Sequence, residues 1–202
     1  MKIALIGASG NAGSRILAEL SRRGHQVTAI ARDASRIAAV PGAVAVSADL
    51  ADVDGIADVL RGHHAVVSAV RFAASDPAKL IAAVERSGVR RYLVVGGSGS
   101  LGVAPGKRLM DMPEFPVPYR GEALAGAAFL DDLKANESLE WTFLSPSAVF
   151  TAGERTGTFR LGQGELLTGD KGSRISFEDY AIALVDEIEQ PRHVRRRFTV
   201  GY

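Results

Sequence analysis

The sequence predicts an α/β protein of one domain, residues 1–202, with a doubly wound parallel sheet and helices on both faces. Two observations predict it. Short apolar runs that favour strands alternate with helical patterns along most of the chain. The run Ala65–Val70 is almost wholly apolar, as expected of a strand that is covered on both faces. At 202 residues and 47% hydrophobic content, the chain is long enough for one real core.

The first elements are a strand at Ile3–Ile6, a glycine-rich turn and a helix at Ala12–Arg23. Glycines let the backbone turn sharply and approach an anion, and the free N–H groups at the helix start point towards it. This order is typical of a site for the diphosphate of a dinucleotide, although a glycine turn without a ligand has the same pattern. The candidate residues are Gly7, Ala8, Ser9, Gly10, Asn11, Ala12 and Gly13.

The second strand, Gln26–Ile30, ends next to Arg32 and Asp33. In dinucleotide-binding folds this position meets the adenosine ribose, where an acidic residue selects NAD(H) and an arginine accommodates the 2′-phosphate of NADP(H). Arg32 lies at the tip of the strand, so we predict a preference for NADP(H) over NAD(H). Asp33 argues for the opposite preference, and Arg32 as a solvated loop charge is the alternative.

A third strand at Ala43–Val46 is followed by Asp49 and Leu50. We expect Asp49 to accept a hydrogen bond from the adenine amino group and Leu50 to pack on the adenine ring. The alternative role for Asp49 is an N-cap, because a helical pattern begins near Asp52.

A helix at Pro77–Ser87 and a fifth strand at Tyr92–Val95 complete the alternating part of the chain. Ligands of such sheets bind at the carboxyl ends of the strands. The residues at and just after the ends of the fourth strand, Ala65–Val70, and of the fifth strand therefore join the predicted cofactor site: Ala69, Val70, Arg71, Gly96, Gly97 and Ser98.

Beyond Ser98 the pattern becomes irregular. The proline-rich loop 103–118 is predicted to be a lid or a substrate wall, and a helix at Tyr119–Asn136 and a strand at Leu139–Leu144 follow. Residues 146–202 are predicted to form a small C-terminal substrate lobe. Within it, Gly162–Gly164 indicates a hairpin between flanking strands, and Arg195–Arg197 are typical of a solvated edge strand whose charges oppose aggregation.

The four tyrosines of the chain bear on which reactions the site can catalyse. Short-chain dehydrogenases use a tyrosine acid with a lysine four residues later, and none of the four tyrosines has that partner. A flavin or quinone acceptor needs the pair least, because its ring delocalises the charge of the hydride and collects a proton from water. Ser98 is the candidate catalytic residue, through a hydrogen bond to an acceptor carbonyl. The alternative is a turn hydroxyl that serves its own loop.

Composition excludes several classes of function. The net charge of +1 gives no bulk attraction to nucleic acid or membrane, and the absence of cysteine excludes disulfides, thiolate metal sites and cysteine nucleophiles. No metal site is predicted. The N-terminus does not have the pattern of a signal peptide and is needed as the first strand, so we expect a cytoplasmic protein, either a monomer or a homodimer.

With these residues laid out, the chain is similar to the atypical short-chain dehydrogenase/reductase group with an NmrA-like NAD(P)H-binding domain, and within it to the NADH-flavin reductase family. The segments that carry the resemblance include KIALIGASGNAGS, VTAIARD, ADLAD, YLVVGGSGSL, LEWTFLSPSAVF and ISFEDYAIALVDEIEQ. The resemblance implies a Rossmann-type fold, with NAD(P)H at Gly7, Gly10 and Gly13. It places the nicotinamide near Pro146, Ser147, Ala148 and Val149.

Three hypotheses of function follow. The first is an oxidoreductase that passes hydride from NADPH to a flavin or quinone, with FMN or FAD as a substrate and no tightly held flavin of its own. The second is an NADP(H) sensor of the NmrA type, which regulates a partner without turnover. The third is an epimerase or isomerase of a small sugar-like substrate, which requires an acid/base pair that the sequence does not reveal.

Overall fold

The computed structural model describes residues 1–202 and contains one eight-stranded sheet flanked by five helices. The helices are α1 Asn11–Arg22, α2 Val53–Leu60, α3 Pro77–Ser87, α4 Arg120–Ala135 and α5 Phe177–Glu189. The strands are β1 Lys2–Ile6, β2 Gln26–Ala31, β3 Ala43–Ser47, β4 Ala65–Ser68, β5 Arg91–Val95, β6 Gly102–Ala104, β7 Lys107–Arg108, β8 Glu140–Pro146, β9 Val149–Thr151, β10 Arg160–Gly162, β11 Arg174–Ser176 and β12 Arg196–Gly201. None of the helices combines the length and the apolar character that crossing a membrane requires.

The sheet has the strand order β10-β12-β8-β5-β4-β1-β2-β3, and seven of its strands are parallel while β10 runs antiparallel. The chain builds β1, β2 and β3 in one direction and then crosses back to place β4 on the other side of β1. This reversal creates a crevice at the carboxyl ends of β1 and β4, where open α/β sheets bind ligands. The predicted α/β fold of the Rossmann type is confirmed.

Strand β1 shows how the sheet buries both of its faces. Ile3 and Leu5 pack in the core with α1 and α5, whereas Ala4 and Ile6 pack in the core with α2, α3 and α4. All four residues are at most 2% exposed. Successive side chains of a strand point to opposite faces, so a strand between two helical layers needs apolar residues at every position.

The C-terminal region differs from the sequence prediction in its pairing. Residues Arg160–Gly162 pair with β12 and not with the segment after Gly164, so the predicted hairpin is wrong. Glu165 instead forms a bridge with Gly102. An alternating pattern identifies a strand but not its partner, and here β12 offers an unpaired edge to β10.

Strand β12 lies between β10 and β8 in the sheet, but β10 pairs only with Thr199–Gly201. Arg196 and Arg197 therefore have a strand partner in β8 alone, which agrees in part with the predicted edge strand, and Arg195 precedes β12. Helix α5 and strand β12 belong to the main layers of the domain, and α5 packs against α1. Strand β10 belongs to the main sheet as well, so the part of 146–202 that lies outside the main layers consists of the segments on either side of β10, with β9 and β11 paired in a small sheet of their own. A substrate-binding role for this part stays a prediction.

A buried ion pair ties α5 to the sheet. Glu187 and Arg91 have side chains that are 3% and 9% exposed, and Arg91 Nη2 donates to Glu187 Oε1 at 2.9 Å. Glu187 also accepts from the backbone N–H groups of Arg192 and His193 and lies 2.8 Å from His193 Nδ1. Removing one partner of such a pair leaves an uncompensated buried charge, which is strongly destabilising.

Replacing Glu187 by alanine is therefore expected to lower the free energy of unfolding by about 3–5 kcal/mol, measured by urea denaturation. The matched control is Asp186→Ala on the same helix, where a half-exposed carboxylate pairs with Arg23 and the expected loss is about 1 kcal/mol or less. Equal losses in the two variants would contradict a structural role for the buried pair.

Candidate dinucleotide-binding site

The turn between β1 and α1 is built by the close approach of two glycines. Gly7 has a φ of +85°, and a Cβ at this position would lie 2.5 Å from the carbonyl oxygen of Ala69. A Cβ on Gly13 would lie 2.1 Å from the carbonyl oxygen of Gly7. Both positions therefore require glycine, Gly7 for its backbone conformation and Gly13 because α1 packs directly on the turn.

This packing leaves the first N–H groups of α1 free. The N–H groups of Gly7 and Ala8 donate to the carbonyl of Ile30, and that of Gly10 donates to Gly7. The N–H groups without an acceptor in the protein are those of Ser9, Asn11, Ala12 and Gly13. The helix has no side-chain N-cap and no acidic residue in its first turn. Free donors at the positive end of a helix dipole fit a diphosphate group.

A cavity of about 590 Å³ adjoins this turn at the carboxyl edge of the sheet. Ala8, Asn11, Ala12 and Gly13 lie in the turn and the helix start but do not line the cavity. Ala8 is fully buried, so it supports the turn rather than facing a ligand. The structure therefore brings together nine of the predicted site residues as cavity lining: Gly7, Ser9, Gly10, Arg32, Asp49, Leu50, Ala69, Val70 and Arg71.

Arg32 and Asp33 have different environments at the end of β2. Arg32 is exposed, lines the cavity and forms no ion pair. The carboxylate of Asp33 accepts from the backbone N–H of Ser35 at 3.0 Å and from the Ser35 hydroxyl at 2.6 Å. These hydrogen bonds lower the pKa of Asp33 and hold its side chain in a local cap. Arg32 is thus the side chain available to a ligand here.

Asp49 is not the N-cap of α2. That position belongs to Asp52, whose carboxylate accepts from the N–H of Gly55 at 2.9 Å. Asp49 accepts from the N–H of Ala51 through Oδ1. The other carboxylate oxygen of Asp49, Oδ2, forms no hydrogen bond. Asp49 and Leu50 both line the cavity.

One wall of the cavity contains Arg71, which was predicted as a site residue, and several residues that were not predicted. It consists of the segment after β4 and the start of α3, and it adds Ala73, Ala74, Ser75, Asp76 and Lys79 to the lining. The carboxylate of Glu122 on α4 accepts from the N–H groups of Phe72 and Ala73 at 2.8 and 3.0 Å. No local pattern links position 122 to position 72, so the sequence alone carried no signal for this contact.

Phe72 anchors the same wall in the core. Its ring stacks on Phe143 with the centroids 5.9 Å apart and meets Phe129 edge-on at 5.6 Å. A Cβ on Gly126 would lie 2.8 Å from this ring, so α4 needs glycine where Phe72 crosses it. Helix α4 therefore holds this wall in two ways, through the hydrogen bonds of Glu122 and through the packing of Phe72 against Gly126.

The residues predicted for the nicotinamide half do not line this cavity. Gly96 follows β5 and packs against Phe143, while Gly97 and Ser98 are partly exposed. The hydroxyl of Ser98 forms no hydrogen bond, so it does not serve its own loop. It is the backbone carbonyl of Ser98 that accepts from the N–H of Leu101.

The segment after β8 divides into a buried and an exposed part. Pro146 and Ser147 are buried, and the Ser147 hydroxyl donates to the carbonyl of Val200 at 3.2 Å. Ala148 and Val149 are exposed. Within 146–149, these two are the residues whose side chains are accessible to a ligand.

The loop 103–118 is fixed to its neighbours at its beginning. The N–H of Gly102 donates to the carbonyl of Gly164, and the carbonyl of Gly102 accepts from Leu166, both at 2.9 Å. Met110 is buried and its N–H donates to the carbonyl of Gly99. A wall formed by this loop agrees with these bonds, and a lid role stays a prediction.

The tyrosines have structural positions. Tyr92 and Tyr180 are fully buried, with hydroxyls that meet the Ser68 hydroxyl and the carbonyl of Leu144. Burial raises the pKa of both phenols. The hydroxyl of Tyr202 bonds with Ser176 and Asp179, and Tyr119 is 61% exposed at the start of α4. No hydrogen bond joins a tyrosine to a lysine.

Comparison with known proteins agrees with this geometry. The model of a family described as NAD(P)H-binding matches residues 7–190, which include the glycine turn and all five helices. The chain belongs to this NAD(P)H-binding family. The match confirms the coarser part of the sequence prediction, an NAD(P)H-binding protein of Rossmann type.

Three solved structures are similar over essentially the whole chain, and all three cover 100% of it. A Burkholderia pseudomallei protein provisionally named as exported is 46% identical, with 100% of its own chain covered and a TM-score of 0.90. A Bacteroides thetaiotaomicron protein provisionally named an epimerase is 40% identical, with 96% covered and a TM-score of 0.94. A Streptococcus pneumoniae TIGR4 protein provisionally named an NADH-flavin reductase is 38% identical, with 99% covered and a TM-score of 0.83. Because the three names differ, they do not identify one reaction.

Replacing Gly13 by alanine is expected to weaken NADP⁺ binding at least about tenfold, measured by calorimetry, because the new Cβ pushes α1 and its free N–H groups away from the turn. The unfolding free energy should also fall by about 1–3 kcal/mol. The control is Gly121→Ala on α4, where a Cβ meets nothing within 4 Å. Unchanged NADP⁺ affinity in a folded Gly13→Ala variant would contradict this arrangement.

Proposed function

We propose that the protein is an oxidoreductase that transfers hydride from NADPH to a flavin or quinone acceptor. The observation that carries the proposal is one cavity that adjoins the free N–H groups at the start of α1 and is lined by the unpaired guanidinium of Arg32. These two features match the diphosphate and the 2′-phosphate of NADPH. Membership of the NAD(P)H-binding family supports the same ligand class.

Different residues of the cavity bind different parts of NADPH. Ser9 and the start of α1 hold the diphosphate, and Arg32 pairs with the 2′-phosphate. Asp49 accepts from the adenine amino group with its free carboxylate oxygen, and Leu50 covers the adenine ring. On the opposite wall Arg71 lies 3.8 Å from the carboxylate of Glu122, and the wall also carries one further cation, Lys79, and one carboxylate, Asp76.

At the nicotinamide end of the cofactor, the role of the protein is to position the acceptor against the nicotinamide ring. Bound NADPH supplies a hydride, and a flavin or quinone can accept it without a proton donor from the protein. Ser98 donates a hydrogen bond from its free hydroxyl to a carbonyl of the acceptor. Ala148 and Val149 provide exposed apolar surface at the same edge of the sheet. Holding two flat rings face to face is then the main contribution to the rate.

The preference for NADPH can be tested at Arg32. Arg32→Glu replaces attraction of the 2′-phosphate by repulsion, so NADPH affinity should fall about 10- to 100-fold while NADH affinity changes by less than about threefold. Arg36→Glu, which makes the same charge change one turn away, is the control. Calorimetric titration with both nucleotides measures the difference, and equal losses for NADPH and NADH would place the 2′-phosphate elsewhere.

Turnover is tested by following the nicotinamide absorbance with NADPH and either FMN or a series of quinones. We expect consumption of NADPH with at least one acceptor, and we expect Ser98→Ala to lower kcat about fivefold or more with an unchanged Kd for NADPH. Ser100→Ala, in the same loop, is the control and should keep most of the activity. Tight NADPH binding without consumption for any acceptor would contradict the reductase and favour a nucleotide sensor.

A further inference from the structure

A cluster of arginines follows α5 at the edge of the sheet opposite to the dinucleotide cavity. Arg192 and Arg195–Arg197 lie at or just before the beginning of β12, whereas the glycine turn lies at the carboxyl ends of the parallel strands. Strand β10 pairs only with Thr199–Gly201, so the part of β12 that carries Arg196 and Arg197 is paired with β8 alone, and charges there oppose pairing with another chain. Protection of this short edge does not account for Arg192 and Arg195, which lie before the strand.

None of these arginines forms an ion pair with a carboxylate. Arg195 donates to the backbone carbonyls of Glu137 and Leu139, and Arg192 donates to the side-chain amide oxygen of Gln190. Arg196 is exposed and its side chain forms no hydrogen bond. Neutral acceptors satisfy the donors of a guanidinium but leave its charge in place.

Arg197 has the least exposed charge of the group. Its guanidinium donates to the carbonyl and hydroxyl of Ser100 and to the carbonyl of Gly164. Burial lowers the pKa of Arg197, while the more distant carboxylates of Glu165 and Asp131 oppose this effect. A partly desolvated cation without a direct counter-ion gains more from an added anion than a solvated one does.

These side chains surround an open cavity of about 670 Å³ between the end of α4, the turn at Gly164 and the segment before β12. The lining contains five basic side chains and one acidic side chain, Glu137. Lys134 pairs with Asp131 on the helix surface, and His193 is held by Glu187. The full lining is Lys134, Asn136, Glu137, Trp141, Gln163, Gly164, Arg192, His193, Arg195, Arg196 and Arg197.

We propose that this cavity is a second anion site, distinct from the dinucleotide cavity, that binds a compact polyphosphate such as inorganic pyrophosphate or tripolyphosphate. Arg192 and Arg196, whose guanidinium groups form no ion pair, bind its phosphate oxygens. Arg197 adds the positive charge of a partly buried guanidinium. Several planar guanidinium groups around one cavity suit phosphate oxygens, which accept paired hydrogen bonds, and an excess of positive charge suits a multiply charged anion.

The test titrates tripolyphosphate into protein saturated with NADP⁺, by calorimetry at low salt, so that the glycine turn is already occupied. We expect one further binding event, which weakens as salt is added because the contacts are between charges. The double variant Arg192→Gln/Arg196→Gln should bind tripolyphosphate at least about tenfold more weakly and keep its NADP⁺ affinity.

Arg174→Gln is the control for the general loss of charge, since this exposed arginine lines a different cavity. It should leave tripolyphosphate binding unchanged. Three results would overturn the proposal: no heat of binding in the NADP⁺-saturated protein, an equal loss in Arg174→Gln, or unchanged affinity in the double variant. If NADP⁺ itself fails to bind, the titration of the wild type and the double variant without nucleotide still decides the question.

Discussion

The site depends on the contact between α1 and the carbonyl of Gly7. Because Gly13 has no side chain, the helix starts close against the end of β1, and its first N–H groups face outward without acceptors. Had α1 a side-chain cap or an acidic first turn, the same donors would be satisfied from within the protein. The arrangement leaves polar groups unpaired in the free protein, which is a cost that a bound diphosphate removes.

The cavity beside this turn is shaped by elements that are far apart in the chain. Glu122 and Gly126 of α4 contact the segment after β4, so the wall that carries Arg71 is attached to α4 by hydrogen bonds and by packing. The turn at Ser98 packs on the same helix, since a Cβ on Gly99 would lie 2.5 Å from the Cβ of Ala123. Helix α4 thus connects the adenosine half of the site with the half in which we place the acceptor.

The sequence predicted the elements up to β5 well because they alternate, and each crossover follows from the handedness of parallel βαβ units. The short strands β6 and β7 lie in the stretch that was predicted to be a loop. The glycine turn was equally predictable, since close backbone approach leaves glycine as the only choice. The role of Asp33 could not be predicted, because an aspartate that accepts from the N–H of Ser35 and one that binds a ribose look the same in sequence. The pairing of Arg160–Gly162 with β12 and the contact of Glu122 with Phe72 join distant positions, and single-sequence patterns carry no information about such partners.

The central claim is that the free N–H groups at the start of α1 bind the diphosphate of a pyridine dinucleotide. Amide proton and nitrogen chemical shifts, recorded during a titration with NADP⁺, test it most directly. The account predicts that the largest shifts occur at Ser9, Asn11, Ala12 and Gly13, with slower exchange of these amides in the complex. Binding of NADP⁺ that leaves these four amides unshifted, or an absence of binding to the folded protein, would contradict the account.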